Sequence, residues 1–426
     1  MVGLRRMRIR PPSQTRKRGG KDLGTQAASY SNRRQLFVAS CMALVVSAIA
    51  FGIRGDTLGD FMKTFNATPT DIGWAITGAF WGFTIAIAFS GIVCDKLGMK
   101  ALLVFAWILH IAGIAGTVFA NSIMTLAVGT LLIGLGNGFI EGAVNPLVVT
   151  LYPDDKTAKL NALHAWWPGG IVIGTVIAYL MTQVPALNVW QYKTGVLFIP
   201  TIIYGIMFIG LKLPPTERVQ SGVSTERMWK SVFSLFLVFW VCMWFTAFTE
   251  LGTNQWISEM LKESGVKVGT LVLGWISFVM LIGRTFAGPV VNRFKPIGLL
   301  LLSSVVSVIG LLALSVATGP VMAFAAATIF SVGVCYYWPT MLGYTSERWP
   351  ESGALGMGLM GAAGMASAGL AQYIFGWLFE GRGTAGCLQA VAILPAIVTV
   401  VFLFFYFSHQ KEGGYKAVKL AEASEE

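Results

Sequence analysis

Gly91-Ile92-Val93-Cys94-Asp95-Lys96-Leu97-Gly98-Met99-Lys100 is a polar turn between two long apolar runs. The run before it, 71–93, and the run after it, 101–119, each carry almost no charge. Each has about the length a helix needs to cross a hydrocarbon core of roughly 30 Å. The residues of the turn have separate physical uses. Gly91 has no side chain to hold a neighbouring helix away, and Gly98 permits a tight turn. Asp95 can cap a helix end or pair with a cation. Lys96 and Lys100 would hold the turn on the cytoplasmic side of a membrane.

Outward from this turn the pattern repeats. The 426-residue chain is 55% hydrophobic and only 12% charged, whereas soluble domains carry roughly 25% charged residues. Its apolar residues fall in long uncharged runs with none of the alternation of a membrane β-barrel. We place twelve spans near 36–62, 71–93, 101–119, 123–151, 161–183, 194–212, 231–260, 269–291, 297–318, 320–343, 352–378 and 386–407. With the N-terminus in the cytoplasm, 25 of the lysines and arginines fall on the inside and six outside. That bias predicts both termini inside an inner (plasma) membrane. Arg284, Arg293 and Lys295 are counted inside, and Lys193 outside.

The longest internal polar break, Lys212 to Lys230, follows the sixth span. The expected organisation is a basic arm (1–35), a six-helix bundle (36–213), a linker (214–230), a second six-helix bundle (231–407) and a short tail (408–426). The net charge of +11 is concentrated in the arm. It reads as an orientation signal with some contact to anionic lipid, not as a nucleic-acid surface. The arm is too long, and lacks the cleavage pattern, for a cleaved signal peptide. The five cysteines show neither metal-ligand nor redox spacing, and we expect no metal and no cofactor.

A weaker echo of the first turn lies at the matching place in the second half, Gly283-Arg284-Thr285-Phe286-Ala287-Gly288-Pro289-Val290-Val291-Asn292-Arg293. The first turn resembles the signature of the major facilitator superfamily, Gly-x-x-x-Asp-Arg/Lys-x-Gly-x-Arg/Lys-Arg/Lys, departing only at Ala101. That resemblance implies an all-α membrane protein of twelve transmembrane helices in two pseudo-symmetric six-helix bundles. It also implies a gating role for Gly91, Asp95, Lys96, Gly98 and Lys100, echoed by Gly283, Arg284 and Arg293.

Charge inside a bilayer is costly and usually faces a cavity. Glu141 lies in the fourth span and Glu250 in the seventh. Arg54, Asp56 and Asp60 lie in the outer half of the first, and Tyr336-Tyr337-Trp338-Pro339-Thr340 in the tenth. The resemblance implies that these four spans line the central cavity. A lone carboxylate there is disfavoured as an anion, so Glu141 is the expected proton carrier, with Glu250 beside it. Arg54 either pairs with an acid to gate the outer side or is interfacial.

Phe139-Ile140-Glu141-Gly142-Ala143-Val144-Asn145-Pro146, followed by Asn161-Ala162-Leu163-His164-Ala165-Trp166-Trp167-Pro168-Gly169-Gly170, resembles the fucose–proton symporter and glucose–galactose porter branch. The resemblance implies Glu141 as the protonatable group and Asn145 in or near a sugar site. The first span departs from that branch, reading Arg54-Gly55-Asp56-Thr57-Leu58-Gly59-Asp60 where an Asn-rich stretch before an acid is expected. His164 reads as a proton relay, a ligand or a packing residue. Asn254 and Gln255 offer hydroxyl-binding amides, and Trp256 and Trp338 offer faces on which a sugar ring could stack.

No phosphate-binding loop, metalloprotease motif or assembled nucleophile and base is present, so the chain is not read as an enzyme. The expectation is a secondary transporter working as a monomer by proton-coupled symport of a sugar or similar small polar solute, with sodium as the other candidate ion. The alternatives are a proton-antiport exporter of drugs or metabolites and a non-transporting membrane sensor.

Overall fold

The computed structural model describes residues 32–67, 69–263 and 269–419. Most of the basic arm therefore lies outside the described residues. Helix α1 is Arg33–Phe65, α2 Pro69–Leu97, α3 Met99–Val118 and α4 Ile123–Leu151. Helix α5 comes in two pieces, Lys156–His164 and Trp166–Thr182, and so does α6, Trp190–Gly195 and Phe198–Phe208. Helix α7 runs Phe236–Ala247, widens into a π-turn at Phe248–Gly252 and resumes as Thr253–Glu263. Helix α8 is Gly269–Thr285. Ala287–Ser315 bends at Lys295 (φ 57°), so its first part continues α8 and the rest is α9. Helix α10 is Pro320–Val334 and Tyr337–Arg348. Gly353–Lys411 breaks at Gly383 (φ 63°) into α11 and α12.

Ten of these helices are long and apolar enough to cross a membrane. The other two spans, α6 and α8, are interrupted. Local chemistry explains the ends. Gly98 separates α2 from α3 at φ 80°, a backbone that only glycine adopts without strain. A capping box between Ser122 and Thr125 starts α4. Exposure is inverted relative to a soluble protein. Ile85, Phe89, Ile92, Phe105 and Ile108 are about half exposed on α2 and α3, whereas Glu141, Asn145, His164, Glu250 and Arg284 are buried. An apolar exterior of this extent suits lipid. A second polar cluster, His110 with Asn137 (2.9 Å) and Tyr204 (3.3 Å), sits within the first bundle. His110 bridges α3, α4 and α6 through its two ring nitrogens.

The two bundles meet tightly at one end. A Cβ on Gly91 of α2 would stand 3.0 Å from the Ala354 carbonyl of α11, and one on Gly358 would stand 2.8 Å from the Ile87 carbonyl. Only glycines allow this crossing. Along α5 and α10, Thr157 Oγ1 donates to Glu347 Oε1 (2.5 Å) and Asn161 Nδ2 to Thr340 Oγ1 (3.3 Å). The tail joins this end, with Tyr415 OH donating to Glu347 Oε2 (2.7 Å) and the Val418 amide to the Glu347 carbonyl (2.8 Å). Arg33 stacks over Tyr152 at 3.8 Å on the same end. Arg33 and the tail residues Tyr415 and Val418 thus share the closed end.

Two sequence readings need correction, and the linker carries structure of its own: Glu217–Gln220 and Thr225–Val232 are helical, and Arg218 Nε donates to Asp95 Oδ2 at 2.6 Å. Asp95 therefore ties the first turn to the linker, also accepting from Thr216, while Lys96 and Lys100 are exposed. Lys193 is no loop residue; it is 2% exposed and pairs with Asp56 Oδ2 at 2.6 Å. Arg284 is not at the membrane edge either: it is almost fully buried, held between Glu250, His164 and Cys335, and helical backbone goes on beyond it through 287–294.

Candidate functional site

At the level where the closed end stops, α4, α5, α7, α8, α10 and α11 converge on one small cavity. Glu141, His164, Trp167, Glu250, Leu251, Arg284, Trp338 and Met365 line it. The space between them is about 10 Å³, room for roughly one water molecule. A monosaccharide cannot occupy it until the bundles part.

Glu141 comes from the middle of α4 and is 1% exposed. It forms no ion pair among the described residues. Its Oε2 accepts from Asn145 Nδ2 at 3.4 Å, one helical turn on. Asn145 Oδ1 in turn lies 2.9 Å from His164 Nε2, which then donates to it. Three polar residues on two helices thus form a chain that begins at a carboxylate and ends at an imidazole.

Glu250 is held differently. It sits in the π-turn of α7, a local widening common at functional sites. Its Oε1 accepts from Arg284 Nη2 at 2.7 Å, with both side chains almost fully buried. Arg284 Nη1 donates to the His164 carbonyl at 3.3 Å, and Nε donates to the Cys335 carbonyl. The guanidinium is thereby committed in three directions, and the pair is internally neutral. Among the described residues, Glu250 Oε2 is buried without a hydrogen-bond partner, while the Trp338 indole N–H faces Glu141. Glu250 Oε2 marks the cavity as able to accept a hydrogen bond from a guest.

The remaining candidates disperse. Arg54 stacks over Phe51 (5.2 Å), whose ring lies 5.2 Å from Trp167, so Arg54 stands one aromatic layer away. It does not pair with Asp56, which Lys193 takes. Tyr337 is fully buried but outside the cavity lining. Asn254 is half-buried, with its Oδ1 unpartnered, Gln255 is exposed, and Trp256 packs against Phe379 at 6.1 Å. A helix turns about 100° per residue, so three consecutive side chains cannot share one face. Gly283 packs against Cys335 Sγ, and Arg293 is exposed. Arg284, read from sequence as part of a gating turn, belongs to the cavity. Sequence reasoning did not single out Trp167 as a lining residue, although it lies in the quoted α5 stretch. Nothing in the sequence singled out Leu251 or Met365.

Comparison with known proteins agrees with this architecture. The chain is 22% identical over 377 residues to the gentisate transporter of Corynebacterium glutamicum, covering 80% of this chain and 82% of that one. It is 24% identical over 176 residues to the D-xylose transporter of Levilactobacillus brevis and 28% over 159 residues to monosaccharide-sensing protein 2 of Arabidopsis thaliana. Those two alignments span only 37% and 22% of the relatives' own lengths. Among solved structures, the proton:xylose symporter XylE aligns with TM-score 0.75 at 13% identity, covering 88% of this chain and 96% of that one. The E. coli fucose:proton symporter FucP aligns with TM-score 0.71 at 17% identity, covering 86% and 98%. The family model described as the Major Facilitator Superfamily matches residues 35–354. With a twelve-helix fold, a polar cavity between two bundles and that match, the chain belongs to the Major Facilitator Superfamily of membrane transporters, and is not an enzyme.

Proposed function

We propose that this chain is a proton-coupled symporter that imports a sugar or a similar small polyhydroxylated solute across the plasma membrane, with both termini in the cytoplasm. The observation that carries the reading is Glu141: a buried carboxylate without an ion partner, bordering the cavity where the bundles meet. Glu250 and Arg284 neutralise each other, so the charge of the closed cavity depends on Glu141. As an anion, Glu141 makes sealing the cavity in a low-dielectric interior expensive; as an acid it does not. Closure around the site therefore favours the protonated form, and opening toward the cytoplasm releases the proton.

The cavity's chemistry favours a neutral solute. Arg284 is the cation that lines it, and three of its donor directions are taken. An organic acid, which the name of the gentisate transporter brings to mind, meets no free positive charge here. Trp167 and Trp338 give apolar faces, while Glu250 Oε2 remains for a hydroxyl group. That mixture suits a sugar ring. Entry is from the end away from the termini, and rocking of one bundle against the other exposes the site to each side in turn.

Purified protein in vesicles, screened with radiolabelled monosaccharides, tests this. An inward proton gradient should drive accumulation of one sugar. Glu141→Gln should abolish accumulation yet retain exchange of that sugar without a gradient. Accumulation by Glu141→Gln equal to that of the unaltered protein would remove Glu141 from the coupling role.

A further inference from the structure

Two prolines explain why Arg284 has carbonyls to bind. Proline has no N–H, so the carbonyl four residues before it loses its helical donor. Pro168 does this to His164, and Pro339 does it to Cys335. The helices break at those places: α5 between His164 and Trp166, α10 between Val334 and Tyr337. Both carbonyls that accept from Arg284 are these two. Each precedes a similar triplet, Trp166-Trp167-Pro168 and Tyr337-Trp338-Pro339.

The two acceptors differ in one respect. Cys335 and Glu250 belong to the same bundle as Arg284, whereas His164 belongs to the other. The bond from Arg284 Nη1 to the His164 carbonyl is thus the uppermost rung of a ladder between bundles along α5. The lower rungs are Asn161 with Thr340 and Thr157 with Glu347. His164 also carries, through its ring, the link to Asn145 and Glu141. One residue thereby joins the Glu141 chain to the Arg284–Glu250 pair.

We infer that Arg284 is a positioning residue of the transport cycle, a central latch that holds the bundles closed by gripping the carbonyl vacated by Pro168. When the bundles part at this end, Arg284 travels with Glu250 and the Cys335 carbonyl and releases His164. The inference needs alternating access only; it does not depend on the solute or the coupling ion.

Pro168→Ala isolates the effect, because it restores an N–H that competes for the His164 carbonyl while leaving the Arg284–Glu250 pair intact. Pro339→Ala is the matched control, since it changes only a contact within one bundle. The reporter is Ser346→Cys, at a buried position of the closed end. All five native cysteines are buried, and the protein without the reporter gives the background. A hydrogen bond to a charged group is worth enough to shift a two-state balance roughly tenfold. Maleimide labelling of Ser346→Cys should therefore rise about tenfold in Pro168→Ala and in Arg284→Lys, and stay unchanged in Pro339→Ala. If Arg284→Lys fails to fold, the two proline variants still decide. Unchanged labelling in Pro168→Ala, or an equal rise in Pro339→Ala, would overturn the latch.

Discussion

The two buried carboxylates show how much a neighbour decides. Glu141 has an amide within reach and no cation of its own; Glu250 has a guanidinium at 2.7 Å. Removing one member of a buried pair strands the other charge, at a cost of about 3–5 kcal/mol, whereas removing both is often tolerated. Glu250→Gln and Arg284→Met should each lower the melting temperature in detergent markedly. The double variant Glu250→Gln/Arg284→Met should recover most of the loss. Equal and additive losses would mean that the pair is not a unit. Sequence could mark both acids as costly in a bilayer. It could not separate them, because the partner of Glu250 is 34 positions away and was counted among the cytoplasmic basic residues.

At the scale of the elements, glycines and interruptions carry the information. Gly91 and Gly98 stand seven residues apart in one motif and do different things. Gly91 allows α2 to cross α11, and Gly98 supplies a positive φ where a Cβ would meet nothing. Gly91→Val should push α2 away from α11, at about 1–3 kcal/mol against the closed end, and slow transport. Gly98→Ala should cost about 1–2 kcal/mol of backbone strain and lower the melting temperature without opening that end. Labelling of Ser346→Cys separates the two, rising in Gly91→Val only. Both glycine roles are legible from the spacing of the motif. The π-turn around Glu250 is not, since Phe248–Gly252 contains no residue that forbids an α-helix.

For the whole molecule, the closed end makes a geometric prediction. Asn161 of α5 and Thr340 of α10 meet side chain to side chain at 3.3 Å across the bundles, so cysteines at these two positions stand close enough to be bridged. In a protein whose five native cysteines are replaced, Asn161→Cys/Thr340→Cys should cross-link under oxidation, stop transport, and regain it on reduction. Transport that continues in the fully cross-linked protein would mean that this end need not open. Such a result would contradict rocking of the bundles while leaving the twelve helices in place.

The sequence by itself determined the number of helices and the division into halves. Each apolar run must bury its own backbone hydrogen bonds in lipid, and a helix does so locally. It also picked out Glu141, Asn145, Glu250, His164 and Trp338 as polar exceptions. Only the tertiary structure decided which of these share a cavity. Gln255 and Trp256 differ from Glu250 by five and six positions, yet helical rotation turns them elsewhere. Arg284 reads in sequence as part of a surface turn, and its partners Glu250, His164 and Cys335, on three other helices, put it in the interior. Side-chain convergence depends on rotation, crossing and breaks in several helices at once, and none of those is written in a single run of residues.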